Sequence, residues 1–219
     1  MTGRLLRAGE RGVLVELDGL DAVLGLNAHL DRLVATGNSP WDLLEDRVPA
    51  ATTLLLTVRH SAALGPVRAG LRTLLAELDT SDLGAGAGDA TTVEITVHYD
   101  GPDLADVAEL TGLSPAEVVA AHTGRRWRVG FVGFAPGFAY LVDGDPRLNV
   151  PRRKEPRTSV PAGAVGLAGH FSGVYPRSSP GGWQLIGHTE QHLWDPNRKP
   201  PALLQPGAWV RFVDGGNPS

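Results

Sequence analysis

The chain has 219 residues, a formal net charge of −4 and an isoelectric point near 6.0. With no cysteine, disulfides, thiolate metal sites, iron–sulfur clusters and thiol catalysis are excluded, and a chain this long buries roughly 70% of its unfolded surface without needing a covalent staple. The acidic balance offers no surface for non-specific nucleic-acid binding. No window reaches the ~20 apolar residues that span a bilayer, and the start, charged from Arg4 onward, does not read as a signal peptide. The expectation is therefore a soluble cytoplasmic protein with neither nucleic acid nor membrane as partner.

The first part alternates between the two regular periods. "RGVLVELDG" reads as a strand with Val13, Val15 and Leu17 on one face. In "DAVLGLNAHLDRLVATG", Val23, Leu26, Leu30, Leu33 and Val34 recur at helical spacing, and Gly37 is the stop. "ATTLLLTVR" reads as a buried strand and "GPVRAGLRTLLAELD" as a second helix, with Pro66 in its first turn. Strand, helix, strand, helix predicts a small α/β layer, with a ferredoxin-like sandwich as first choice. "TSDLGAGAGDA", Thr80 to Ala90, lacks apolar anchors and reads as a linker, which places domain boundaries at 1–88 and 89–219.

Beyond it, "TTVEITVHY" alternates as a strand, and "DLADVAELTGLSPAEVVAAHTG" gives two short helices. Ser114 and Glu117 form a capping-box pattern around Pro115. The pair has the look of a helix-turn-helix, but "PAEVVAAH" offers no Arg, Lys, Asn or Gln for base edges, so it is expected to cap a barrel. From Arg126 on, short apolar runs separated by Pro and Gly ("RWRVGFVGF", "VGLAGHF", "WQLIGH", "WVRFV") predict barrel or sandwich strands.

Three stretches carry candidate chemistry. In "GFVGFAPGFAYL", Pro136-Gly137 suits a type II turn. Phe131 and Phe134 are expected in the core, while Phe138 and Tyr140 either join them or line a cavity mouth. Residues 147–157 hold Arg147, Arg152, Arg153, Lys154 and Arg157 against one acid, Glu155, a +4 segment that leaves the rest of the −4 chain at −8. Pro151, Pro156 and Pro161 stiffen it. It is either a solvated loop or an Arg fork for a carboxylate or phosphate. In "SPGGWQLIGHTEQH", Trp183 and Gln184 follow a Gly pair, Gln184 being suited to an amide. His188 is either structural or an acid–base group. His188 and His192 are four apart but have no third ligand at recognisable spacing, so no metal is expected. No nucleotide-cradling loop and no serine elbow is present.

"GFVGFAPGFAYL", "PRLNVPRRKEPRTSVPAGAVGLAG", "GVYP" and "SPGGWQLIGHT", in that order, resemble the family of the 5-oxoprolinase B subunit, also called allophanate hydrolase subunit 1 and kinase A inhibitor. The resemblance is dense from about Val93 to Phe212 and looser in "AGERGVLVEL" and "VPAATTLLLTV". It implies an α+β chain, a ferredoxin-like domain followed by a cyclophilin-like β-barrel. It implies a heteromeric complex with the C subunit (allophanate hydrolase subunit 2) and the A subunit, which opens 5-oxo-L-proline to L-glutamate with ATP as cosubstrate and without a metal or prosthetic group in this chain. Related roles are the carboxyltransferase part of urea carboxylase and inhibition of a histidine kinase. On that reading Arg152, Arg153 or Arg157 holds the substrate carboxylate, Phe138, Tyr140 and Trp183 cover the ring, and Gln184 and the catalytic candidate His188 read the amide, in a site completed by the C subunit. The sequence departs from the family pattern at Ala164 (Ser is usual), His188 (Arg is common) and Ala208 (an acid is usual).

Overall fold

A computed structural model of the chain describes residues 3–78 and 92–216. It divides into two compact units, Met1–Asp89 and Ala90–Ser219. The predicted linker lies outside the described residues.

The first unit is a four-stranded antiparallel sheet, order β1-β2-β4-β3, carrying two helices. Its elements are β1 (Arg4–Ala8), β2 (Gly12–Glu16), α1 (Leu20–Ala35), β3 (Leu44–Pro49), β4 (Thr53–Val58) and α2 (Leu64–Glu77). The central strands β2 and β4 supply the apolar face, with Val13, Val15, Leu54, Leu56 and Val58 all fully buried. Against them pack Val23, Leu26 and Leu30 of α1 and Val67, Leu71 and Leu75 of α2, each set recurring every three or four residues. Gly37, with φ 69, ends α1 in the left-handed conformation, its N–H donating to the Val34 carbonyl. Taken from β2 onward, the order strand, helix, strand, strand, helix, with β1 as the outer strand beside β2, is the ferredoxin-like sandwich with its last strand moved to the front.

The second unit contains β5 (Thr92–Val97), α3 (Leu104–Thr111), α4 (Pro115–Gly124), β6 (Trp127–Val132), β7 (Ala139–Val142), β8 (Arg157–Val160), β9 (Ala164–Ala168), β10 (Phe171–Val174), β11 (Ser179–Gly181), β12 (Gln184–His188) and β13 (Trp209–Asp214). Seven strands run in the order β12-β9-β10-β7-β6-β13-β5. The two ends meet through reciprocal backbone bonds between His98 and His188 (2.8 and 2.9 Å), and the seam continues as Gly101 and Asp103 donate to Ile186 and Leu185. The sheet thus nearly closes into a barrel. Inside lie Ile95, Val97, Val129, Leu141, Val165, Leu167, Ile186, Val210 and Phe212, together with Val107, Val118 and Ala121 of the helix pair.

Alternation along β9 puts Val165 and Leu167 in that core and Ala164 and Ala168 in a second cluster with Phe138, Val160, Tyr175, Trp183 and Leu185. Val160 of β8, which pairs with β11, belongs to this outer layer. A side chain at Gly173 would meet Trp183 and Phe138 at 3.0 and 3.2 Å, so the bare backbone there makes room for the aromatics. Phe138, for which the sequence leaves core and cavity mouth both open, is buried at 1% exposure, whereas Phe134, expected in the core, is 59% exposed. The turn explains the difference. Phe138 N–H closes onto the Ala135 carbonyl (2.9 Å) with Gly137 at φ 83, and Phe134 itself takes φ 67, which aims its ring outward. Among the described residues no helix is long and apolar enough to cross a membrane.

Candidate functional site

The most concentrated buried polarity surrounds Asp103, 1% exposed, at the entry to α3. An Asp in front of an apolar helical run is expected to cap it, but this side chain makes no cap bond. Its Oδ1 accepts from Arg153 Nη1 (2.6 Å) and Arg157 Nη2 (2.7 Å), and its Oδ2 from the Leu185 backbone N–H (2.6 Å). Gln184, 6% exposed, donates from Nε2 to the Pro151 carbonyl (3.2 Å), leaving its Oε1 buried without a partner. Arg153 Nε and Arg157 Nη1 are likewise buried and unpartnered. Of these residues Arg153 and Gln184 line a cleft of about 790 Å³, together with Asp106, Glu109 and Leu110 of α3, Lys154 and Glu155.

The other predicted site residues distribute around this centre. Tyr140 and Trp183 stand 5.7 Å apart, ring to ring, and both touch Phe138 in the outer aromatic layer. That layer reaches the arginine loop through Tyr175. Burial raises the pKa of its phenol, with the Trp183 N–H and the charges of Arg152 and Arg157 working against the rise. Arg152 is exposed. His188 lies apart. It sits at the far end of β12 from Gln184, four residues and roughly 13 Å away at strand rise. Its Nδ1 bonds Asp100 (2.8 Å) and its ring lies 5.2 Å from that of His98, beside a smaller pocket of about 290 Å³ lined by Glu94, Glu190 and His192 among others. The structure therefore brings Arg153, Arg157 and Gln184 together, sets the aromatics beside them, and does not bring His188 to the same cleft. Among the described residues no group of three or more His, Asp or Glu side chains is placed to hold a metal.

A second polar group, which the sequence does not announce, lies inside the barrel. His122, fully buried, bonds Tyr99 Oη through Nδ1 (2.7 Å) and Ser172 Oγ through Nε2 (2.8 Å) and stacks on Phe212 at 4.2 Å. Burial drives its pKa down to about 3, which keeps the ring neutral, and pushes the Tyr99 phenol far above its usual range, helped by Asp214. A neutral imidazole needs one donor and one acceptor partner, and two hydroxyls supply both.

The sequence model of the carboxyltransferase domain, subdomain C and D, matches residues 3–204. The chain belongs to that family. Among the relatives of this carboxyltransferase-domain protein, the 5-oxoprolinase B subunit of Escherichia coli O157:H7 is 54% identical over 124 residues, 55% of this chain and 57% of that protein. The proteins of the same name from Bacillus subtilis and Haemophilus influenzae are 51% identical over 124 residues and 44% over 154, covering 52% and 70% of their lengths. The match thus spans about half of the first two relatives. The solved structure of TTHA0988 superposes with a TM-score of 0.74 at 37% identity, covering 95% of this chain and 40% of that one. Kluyveromyces lactis urea carboxylase shares the fold at a TM-score of 0.70 and 19% identity, covering 97% of this chain and 22% of its own. Within this carboxyltransferase-domain fold, the only sequence signal for Asp103 is its place before a helix, which points to a cap and not to the two arginines fifty and fifty-four residues further on.

Proposed function

We propose that this chain is the B subunit of a 5-oxoprolinase. It acts with the A and C subunits to open 5-oxo-L-proline to L-glutamate at the expense of ATP, the small anionic lactam entering the cleft bordered by Arg153, Lys154 and Gln184. One observation carries the reading. Two guanidiniums share one buried carboxylate, which leaves a surplus positive charge beside a buried amide oxygen that lacks a donor. 5-Oxoproline offers the complement, a carboxylate and a ring N–H on adjacent atoms. Relatives named as the B subunit of 5-oxoprolinase, at 44% to 54% identity, support the same reading. ATP is a substrate of the assembled complex and is given no position in this chain.

The test is reconstitution with the A and C subunits and measurement of 5-oxoproline-dependent ATP hydrolysis. Omitting this chain should abolish the coupled rate, and Arg153→Gln should raise KM for 5-oxoproline more than it lowers kcat. A coupled rate that is the same without this chain removes the proposal.

A further inference from the structure

The resemblance implies that Arg152, Arg153 or Arg157 meets the ligand directly, yet Arg153 and Arg157 already hold Asp103. Three separate observations bear on what that carboxylate does. It is fixed from three sides, by Arg153, Arg157 and the Leu185 N–H, all within 2.7 Å. It cancels one of the two positive charges and leaves the trio at +1. And of the six buried side-chain atoms without a partner among the described residues, three belong to this one cluster, Arg153 Nε, Arg157 Nη1 and Gln184 Oε1. Buried polar atoms are nearly always paired; Arg153 and Gln184 line the cleft and Arg157 joins Arg153 through Asp103 just behind it, so a ligand in the cleft can supply what is missing. Gln184 cannot turn its oxygen away without losing Pro151, so it asks for a donor, while the guanidiniums ask for acceptors. The remaining lining charges, the acids Asp106, Glu109 and Glu155 and the base Lys154, are all exposed and together acidic. Water and salt screen them, but their net sign opposes a second negative group.

We infer that Asp103 is the specificity-determining residue of this cleft: by neutralising one of two clustered guanidiniums it restricts the subsite to ligands bearing a single negative charge next to a hydrogen-bond donor. Asp103 acts through Arg153 and Arg157 and does not touch the ligand. The inference rests on the 5-oxoprolinase reading only for the identity of the natural ligand; the charge rule concerns the cleft itself. Without Asp103 the pair would carry +2 and favour dianions.

The rule is read with N-acetylglycine and N-acetylaspartate, which share an amide N–H and a carboxylate and differ by one charge. Calorimetric titration of the full chain at pH 7.5 should show N-acetylglycine bound about tenfold tighter, the effect of one unit charge a few ångströms away in a partly screened site. Asp103→Asn should invert that preference, and Asp103→Asn with Arg157→Gln, which restores +1, should bring it back. A merely structural role for Asp103 would weaken both ligands alike and would not be rescued by removing a second group. If Asp103→Asn does not fold, Arg157→Gln alone, leaving the cluster neutral, should weaken both ligands about tenfold. An unchanged ratio in folded variants, unchanged binding in Arg157→Gln, or no binding of either ligand to the parent protein overturns the inference. A parallel titration with 5-oxoproline separates the two readings. If the ratio switches as stated while 5-oxoproline neither binds nor supports turnover, the enzymatic reading falls and the charge rule stands. If 5-oxoproline is turned over and the ratio is fixed, the reverse holds.

Discussion

The imidazole of His122 makes the stability of the barrel unit depend on pH in a window where most other groups are silent. In an unfolded chain it titrates near 6.5, whereas in the barrel, burial holds it neutral down to about 3. Above pH 6.5 both forms are neutral and the group adds no pH dependence. Below it, the unfolded chain takes up a proton that the folded chain refuses, so stability falls as pH falls, by about 1.4 kcal/mol per unit, until the folded pKa is reached. Between pH 7 and pH 5 the expected loss from this residue alone is about 2 kcal/mol. Asp145, whose carboxyl is held down to about 2 chiefly by its hydrogen bond from Arg147, loses its contribution only below about pH 4 and stays out of the window. The assay is urea unfolding of the parent and His122→Gln at pH 7, 6 and 5. Gln keeps a donor and an acceptor for Tyr99 and Ser172 and removes the titration, so the variant should lose stability at pH 7 and the gap to the parent should close by about 2 kcal/mol at pH 5. A gap that stays constant across the three pH values would refute the reasoning, as would histidine ring signals in the folded protein that all titrate near 6.5.

Three further perturbations address the frame of the site. Phe138→Ala empties the centre of the outer aromatic layer, where Phe138 is 1% exposed; it should cost about 3–5 kcal/mol in chemical denaturation. Gly101→Ala puts a methyl group into the backbone of Leu185, Ile186 and Gly187 at the barrel seam. It should destabilise by about 3 kcal/mol and speed amide exchange at His188. Ser114→Ala breaks the reciprocal capping box, in which Ser114 Oγ accepts the Glu117 N–H and Glu117 accepts the Ser114 N–H (2.8 Å). A loss of about 1 kcal/mol is expected in thermal or urea unfolding.

The parts of the fold that the sequence announces are those with one buried face. Val13 and Val15 of β2, Leu54 and Leu56 of β4, and the stripes of α1 and α2 show their period because one side of each meets the core. The edge strands β1 and β3 are not legible in the same way. "RLLRA" and "LEDRVP" carry charges and half-buried positions, since an edge strand borrows its stability from the neighbour it pairs with. In "GFVGFAPGFAYL" the alternation is readable but not which face looks inward, and the wall of a barrel has a second, equally apolar layer outside it. The site divides the same way. Arg153 and Arg157 stand four residues apart and Gln184 follows in the next marked stretch, whereas Asp103 lies fifty or more residues before its arginines and the Tyr99–His122–Ser172 chain spans separations of 23 and 50, relations that neither local propensity nor spacing encodes. His188 is near Gln184 in sequence, but the extended rise of β12 carries it out of reach.

The parallel pairing of β5 with β13 has a consequence for how the molecule is made. Val97 and its partner Asp214 stand 117 residues apart. On a ribosome adding about 5–20 residues per second, β5 waits roughly 6–23 s for the neighbour that covers its flank. During that interval Val93, Ile95 and Val97 offer an open, apolar ribbon to any other nascent chain. Yield should therefore respond to translation speed over the intervening codons and to the supply of chaperones that shield unfinished strands.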